Sequence, residues 1–446
     1  MRDARFGLLT DAPASFTLVG GRVLDPTDGT DAVRDIAVRG GLIVESVDGG
    51  ERIDARGLIV APGFCDLHAH LREPGPSDAE TIASGTRAAA HGGFTTVCAM
   101  PNTDPALDSF DAVAAVASAR ASASARVHVI AAATRGRAGG ELANVEELAR
   151  AGAIGVSDDG AAVPSAELVG DLLAQLARLG LPLFEHAEDV SIANGGVMRA
   201  GPAASRLGLG GWSPEAEVAI VERDIGLAEA AGARLHLTHL STARSLDAVR
   251  AAKSRGMAVT CDVTPHHLAF TDEWVAGSRR FAWEEPDGRR PELPYDPRCR
   301  VNPPLSSRDD ALALLSGVAD GTVDAIATDH APHPPQRKLV PFADAAPGLI
   351  GLETALSIGL LAVEAGRLGL GALVAALSTR PAAIAGEARG LRTGGPANLV
   401  AFDPVARWPV ERETLASASV NTPLLGMELP GVVRLTVADG SVTYRS

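Results

Sequence analysis

The stretch Gly63-Phe-Cys-Asp-Leu-His68-Ala-His70-Leu-Arg72 carries two histidines one residue apart and an arginine two places beyond. Side chains alternate on an extended strand, so His68, His70 and Arg72 are expected on one face. Two imidazoles there can grip a metal ion, and a cation beside them can hold an anionic ligand. Other polar groups follow apolar runs along the chain: Met100-Pro-Asn102-Thr103, Ser157-Asp158-Asp159-Gly160, Glu185-His186-Ala-Glu188-Asp189, His239, Thr264-Pro-His266-His267 and Thr328-Asp329-His330-Ala-Pro-His333. Most of the eleven histidines fall in these stretches, while His91, His128 and His236 stand apart. Imidazoles and carboxylates without a nearby thiolate suit Zn2+ or a similar divalent ion. His68, His70, His186, His239 and an aspartate from each of the Ser157 and Thr328 stretches are too many ligands for one tetrahedral ion. They suit two ions sharing a bridging carboxylate and a hydroxide, which is a device for hydrolysing an amide-like bond.

These residues need a frame that gathers them. Eight apolar runs, at 63–67, 95–100, 127–133, 153–157, 181–185, 235–240, 258–263 and 323–328, lead into the polar stretches. Amphipathic segments at 78–90, 111–123, 145–151, 166–179, 214–231, 243–254 and 308–320 separate most of them. Apolar strands alternating with helices mean a parallel sheet covered by helices, and eight units predict a (β/α)8 TIM-like barrel. All the strand ends then meet at one mouth. A doubly wound open sheet is the alternative, weakened because Gly92-Gly93 and Gly210-Gly211 lack the GxGxxG phosphate fingerprint. Residues 1–61 and 390–446 read instead as short β segments with Gly, Asp and Pro turns. One small β-sandwich domain built from both termini, flanking a barrel domain at 62–389, is expected; two independent β tails are the alternative. A long polar excursion at 272–300 interrupts the pattern.

Composition narrows the class. The chain of 446 residues is 46% apolar but only 4% aromatic, with formal charge −15 and no basic stripe, which argues against a nucleic-acid partner. Four scattered cysteines without a CxxC pair fit a reducing compartment rather than a disulfide framework. With no signal-peptide pattern and no uninterrupted membrane-length apolar run, a soluble cytoplasmic protein is expected.

The chain resembles the amidohydrolase superfamily and, within it, the bacterial class I dihydroorotases. The resemblance runs along nearly the whole chain, through the motifs above and Thr238-His-Leu-Ser-Thr and Val301-Asn302-Pro-Pro-Leu. It implies reversible cyclisation of N-carbamoyl-L-aspartate to L-dihydroorotate, a step of pyrimidine synthesis. It also implies two Zn2+ per chain, one held by His68, His70 and Asp329, the other by His186 and His239. Asp159 and a hydroxide would bridge them, with Asp329 as base and then acid. His70, Arg72, Asn102, Asn302 and His333 would hold the substrate, with the backbone at Pro347-Gly348 closing over it. His266, His267 and His330 match the family equally well as supporting residues. Hydantoinase, dihydropyrimidinase and allantoinase share the pattern but usually bridge their metals through a carboxylated lysine, which the 155–160 segment lacks. An inactive scaffold for aspartate transcarbamoylase is a non-enzyme alternative, opposed by the complete ligand set. A homodimer and a transcarbamoylase complex both stay open at this stage.

Overall fold

The computed structural model describes residues 3–47, 49–285 and 293–446. Eight parallel strands form its central sheet: β1 (Phe64–Ala69), β2 (Phe94–Ala99), β3 (Arg126–Ala132), β4 (Ala153–Ser157), β5 (Pro182–Glu185), β6 (Arg234–Leu237), β7 (Val259–Val263) and β8 (Ala325–Ile326). Beyond β8 the ring closes, as Ala69 bridges His330 and the His70 amide donates to the His330 carbonyl at 2.9 Å. Every predicted run therefore contributes a strand to one barrel, and the open sheet is excluded. Helices begin where polar caps stand ready. Ser165, Thr242 and Ser307 accept the third amide of helices Ala166–Leu179, Ala243–Ser254 and Arg308–Asp320. The first helix starts later than its amphipathic pattern, at Ile82–His91, because Thr81 and Ser84 form a capping box there.

Inside the barrel, Cys65, Leu67, Cys98, Ile130, Phe184 and Ala327 pack into one apolar plug below the mouth. Pairing of β1 with β2 slips by one residue between Asp66 and Ala69. Such a bulge switches which residues face inward, from Cys65 and Leu67 below to His68 and His70 above. The strand then stops at Ala69, and Arg72 adopts a left-handed φ of 61°. The single-face expectation is corrected accordingly: Arg72 reaches the mouth through a turn, not by strand alternation.

Both termini join one hydrogen-bonded sheet, running Ser441–Arg445, Glu428–Ala438, Leu399–Pro409, Ile59–Pro62, Phe16–Asp25, Thr30–Arg39 and Leu42–Val44, with Glu51–Asp54 also paired to Phe16–Asp25. Phe16, Val38, Ile43, Val60, Leu399 and Leu435 share one apolar cluster, so the two faces of the expected sandwich belong to a single sheet curled around its own core. Residues 410–427 leave that sheet and lie on the barrel. There Ser417 donates to Glu80 at 2.6 Å and Asn421 Nδ2 to the Ala331 carbonyl at 3.0 Å. The 272–300 excursion is anchored by stacked rings, Phe270 on Trp274 at 4.1 Å and Phe281 on Trp283 at 5.3 Å. Its residues 286–292 lie outside the described residues.

Beneath the barrel, Glu387 accepts from His128 Nε2 at 2.7 Å and Arg126 Nη1 at 3.2 Å, and Arg126 also pairs with Asp439 of the terminal sheet. Burial opposes ionisation of Glu387, yet His128, Arg389 and Arg126 hold its carboxyl at about 2, below the ordinary 4.5. A depressed carboxyl stabilises the fold above its unfolded value and loses that contribution as pH falls from 4.5 towards about 2. Glu387→Gln is therefore expected to lower the melting temperature at pH 7 and to narrow the gap to wild type as acid is added. Equal melting temperatures at neutral pH would show that the Glu387 charge contributes nothing to stability.

Candidate active site

The strand ends bring His68, His70, Asp159, His186, His239 and Asp329 into one buried cluster. Asp159 is its hub. Oδ1 lies 3.2 Å from His68 Nε2 and 3.6 Å from both His186 Nδ1 and His239 Nε2, and Oδ2 lies 3.6 Å from His70 Nε2. Asp329 Oδ1 stands 2.9 Å from His70 Nε2 and 3.5 Å from His68 Nε2. Two groups of ligand atoms, His68–His70–Asp159 and Asp159–His186–His239, thus share one carboxylate, each with its atoms within 4.8 Å of one another. The adjacent Asp158 turns away, accepting the Ala133 and Thr134 amides at 3.0 and 2.9 Å and the Thr134 hydroxyl.

Carboxylates behind the cluster hold its backbone. Asp262 accepts the His239 amide at 2.7 Å and faces His236 Nε2 at 2.8 Å, while Asp66 accepts the Thr328 amide at 2.8 Å. His239 and Asp329 both adopt left-handed φ, 38° and 45°. Such strain costs about 1–3 kcal/mol per residue and persists only where the surroundings fix it.

The electrostatics favour a cation in the middle. Burial pulls the His68 and His186 imidazoles down, but Asp159 outweighs it and raises them to about 9 and about 10, with Glu188 adding to His186. Burial also works against ionised Asp159 and Asp329, yet the histidines hold both well below the usual carboxylate range. Ring nitrogens meet head to head, His68 Nε2 with His70 Nε2 at 3.3 Å and His186 Nδ1 with His239 Nε2 at 3.0 Å. His68 Nδ1 and His239 Nδ1 are buried without a protein partner among the described residues. Converging nitrogen donors around two ionised carboxylates fit a divalent metal site.

Above the cluster a cleft of about 230 Å³ is lined by every residue assigned to the substrate from the sequence: His70, Arg72, Asn102, Asn302, His333, Pro347 and Gly348. Arg72 donates Nε and Nη2 to the Pro332 carbonyl at 3.2 and 3.1 Å, and Nη1 has no protein partner among the described residues. Asn102 bridges His70 Nδ1 at 2.7 Å and Asp159 Oδ2 at 3.3 Å. Asn302 donates to Glu188 Oε2 at 2.9 Å. Burial, then Arg72, lowers His333 to about 3, so its ring is neutral and Nε2 donates to the Pro347 carbonyl at 2.8 Å. Gly348 has φ +130°, and a Cβ there would come within 2.6 Å of Ala331 Cβ. His267 supports the Asn302 segment through the Pro303 carbonyl at 3.0 Å, and His330 faces Glu80 at 3.3 Å. His266 is buried, and neither of its nitrogens has a partner among the described residues.

Several contributors were missed. Glu188 lies inside a recognised motif, two residues after His186, and its hydrogen bonds to Asn302 and Trp212 could have drawn notice only in three dimensions. Arg337 lines the cleft and Asn421 holds the Ala331 and Gly348 carbonyls. Asn421 comes from the far end of the chain and carries no motif at all. The chain has only two lysines: Lys253 is bound to Asp324 at 2.6 Å, and Lys338 to three carbonyls. Neither can bridge at Asp159.

Barrel, mouth and a His/Asp cluster that fits a metal site together point to a hydrolase of the barrel class. The family described as Dihydro-orotase-like matches residues 57–245. A dihydroorotase of Geobacter sp. (strain M21) is 43% identical over 436 residues, covering 96% of this chain and 98% of that protein. One from Anaeromyxobacter dehalogenans (strain 2CP-C) is 45% identical over 434 residues, covering 95% and 96%. This chain belongs to the dihydroorotase family, whose members are cyclic amide hydrolases. In fold it is similar to the L-hydantoinase (dihydropyrimidinase) of Arthrobacter aurescens, with TM-score 0.83 at 23% identity over 97% of this chain and 96% of that one. The dihydropyrimidinase of Brevibacillus agri aligns with TM-score 0.78 at 23% identity, over 97% and 95%. Among the described residues no helix is long and apolar enough to cross a membrane.

Proposed function

We propose that the protein interconverts L-dihydroorotate and N-carbamoyl-L-aspartate in the cytoplasmic synthesis of pyrimidines, with two Zn2+ per chain. The observation that carries the reading is Arg72 and Asn102 standing over a histidine cluster whose two ligand groups share Asp159. A lysine bridge of the hydantoinase kind has no lysine to form it.

His68, His70 and Asp329 would hold one ion and His186 and His239 the other, with Asp159 between them. When bound, the metal pair supplies a hydroxide at neutral pH and polarises the scissile carbonyl. Asp329 stays ionised, takes the proton of the attacking oxygen and returns it to the ring nitrogen as the C–N bond opens. The free Nη1 of Arg72, with Asn102 and His333, holds the carboxylate that the reaction leaves untouched. Engaging that carboxylate through His333 Nε2 exchanges the Pro347 carbonyl for a substrate oxygen. Ring opening turns a monoanion and water into a dianion and a proton, so acid favours ring closure.

Purified protein is expected to carry roughly one to two zinc ions per chain and to cyclise carbamoyl aspartate at mildly acidic pH. A panel of dihydroorotate, hydantoin, dihydrouracil and allantoin, run alongside metal analysis, tests this. Full zinc with turnover confined to the last three would sink the assignment.

A further inference from the structure

Lys338 is 2% exposed and takes no part in the chemistry described above. Its Nζ donates to the Ala346 carbonyl at 2.8 Å, the Gly348 carbonyl at 2.9 Å and the Arg300 carbonyl at 3.1 Å. Three hydrogens meet three acceptors, the full complement of an ammonium. Those carbonyls belong to two segments of the cleft rim: the one leading into Asn302, and the 346–348 turn whose Pro347 carbonyl accepts from His333. The segments are further tied by the Gly348 amide to the Arg300 carbonyl at 2.8 Å, while Asn421 holds the turn to the Ala331 carbonyl's segment through the Gly348 carbonyl at 3.1 Å. Of 40 basic residues only two are lysines, so the cation chosen here runs against the composition of the whole chain. A planar guanidinium spreads its donors outward, whereas carbonyls converging on one point suit a compact ammonium.

We propose that Lys338 is a positioning residue of substrate binding: its buried ammonium clamps the segment before Asn302 to the 346–348 turn and so fixes the rim that closes on the substrate. This rests on the reading of His333 and the 346–348 turn as the substrate's surroundings. The titratable groups facing Lys338 are Arg300, the Cys299 thiol, the neutral His333 ring and Asp296, the last already paired with Arg279 and Arg298. No carboxylate pairs with the ammonium among the described residues. Burial, then Arg300, brings it down to about 7. A neutral amine keeps two hydrogens and leaves one buried carbonyl unpaired. The clamp is complete at the lower pH, the side on which proton balance favours ring closure.

Lys338→Met, compared with wild type and His333→Ala, tests the clamp. The methionine variant is expected to raise KM for carbamoyl aspartate about tenfold, the scale of one or two lost charged hydrogen bonds. Its kcat and metal content should stay within about twofold of wild type, because the metal ligands are untouched. Wild-type KM is expected to climb between about pH 6 and about pH 8.5, and the variant's to stay level. Should the methionine variant not fold, Lys338→Gln, which keeps two donors, and the wild-type profile carry the test. A wild-type KM level across that range, or a Lys338 variant with unchanged KM, overturns the clamp while His333→Ala still raises KM. Unchanged KM in His333→Ala as well would instead bring down the substrate reading itself.

Discussion

Asp329→Asn is expected to lower kcat by about a thousandfold, within the usual worth of a positioned acid–base group, while most of the metal stays bound. The carboxylate divides its two oxygens. Oδ1 faces the histidines, 2.9 Å from His70 Nε2 and 3.5 Å from His68 Nε2, whereas Oδ2 has no protein partner among the described residues. An asparagine keeps an oxygen for the metal side and loses the basic one. Burial would resist the charge on Asp329, but His68 and His70 hold the carboxyl well below its ordinary range, so it is ionised at working pH. Steady-state turnover of carbamoyl aspartate, measured beside zinc content, separates the two roles. Unchanged kcat would remove Asp329 as the base, and parallel loss of zinc and activity would reduce it to a ligand.

Much of this site was legible because its residues sit at strand ends, and a barrel brings strand ends together whatever the loops do. His68, His70, Asp159, His186, His239 and Asp329 needed only the order of the strands to meet. The single-face reading of His68, His70 and Arg72 failed locally, because alternation assumes an unbroken strand. A one-residue slip after Asp66 and a left-handed turn at Arg72 do the placing instead. Asp158 and Asp159 could not be told apart by residue type; what separates them is the pair of amides at Ala133 and Thr134 that claim the first. Least legible were groups whose function lies in a distant contact. Asn421 holds two carbonyls of the cleft rim from a segment 90 and 73 positions further along, within chain whose pattern pointed only to the small β domain. Lys338 belongs to no motif, and only the three carbonyls around its ammonium distinguish it.

The adjacent pair offers the sharpest test of the metal assignment. Asp159→Ala removes the one anion that faces all four histidines, and both ligand groups lose their shared member at once. Metal content is expected to fall well below half of wild type. Turnover should drop by more than about a hundredfold, the upper end of what losing a mere outer partner of a metal site costs. Asp158→Asn changes a carboxylate one residue away, of the same size and equally buried, whose work is to hold the loop after β3. It still offers an oxygen to the Ala133 and Thr134 amides, so its expected effect is a lower melting temperature with metal and kcat largely kept. The two positions share residue type and burial and differ in which face of the chain they occupy. Zinc retained in Asp159→Ala and lost in Asp158→Asn would transfer the bridge to the neighbour. Zinc retained in both would mean that the four imidazoles hold their metals without a shared carboxylate, and the bridged pair would have to be abandoned.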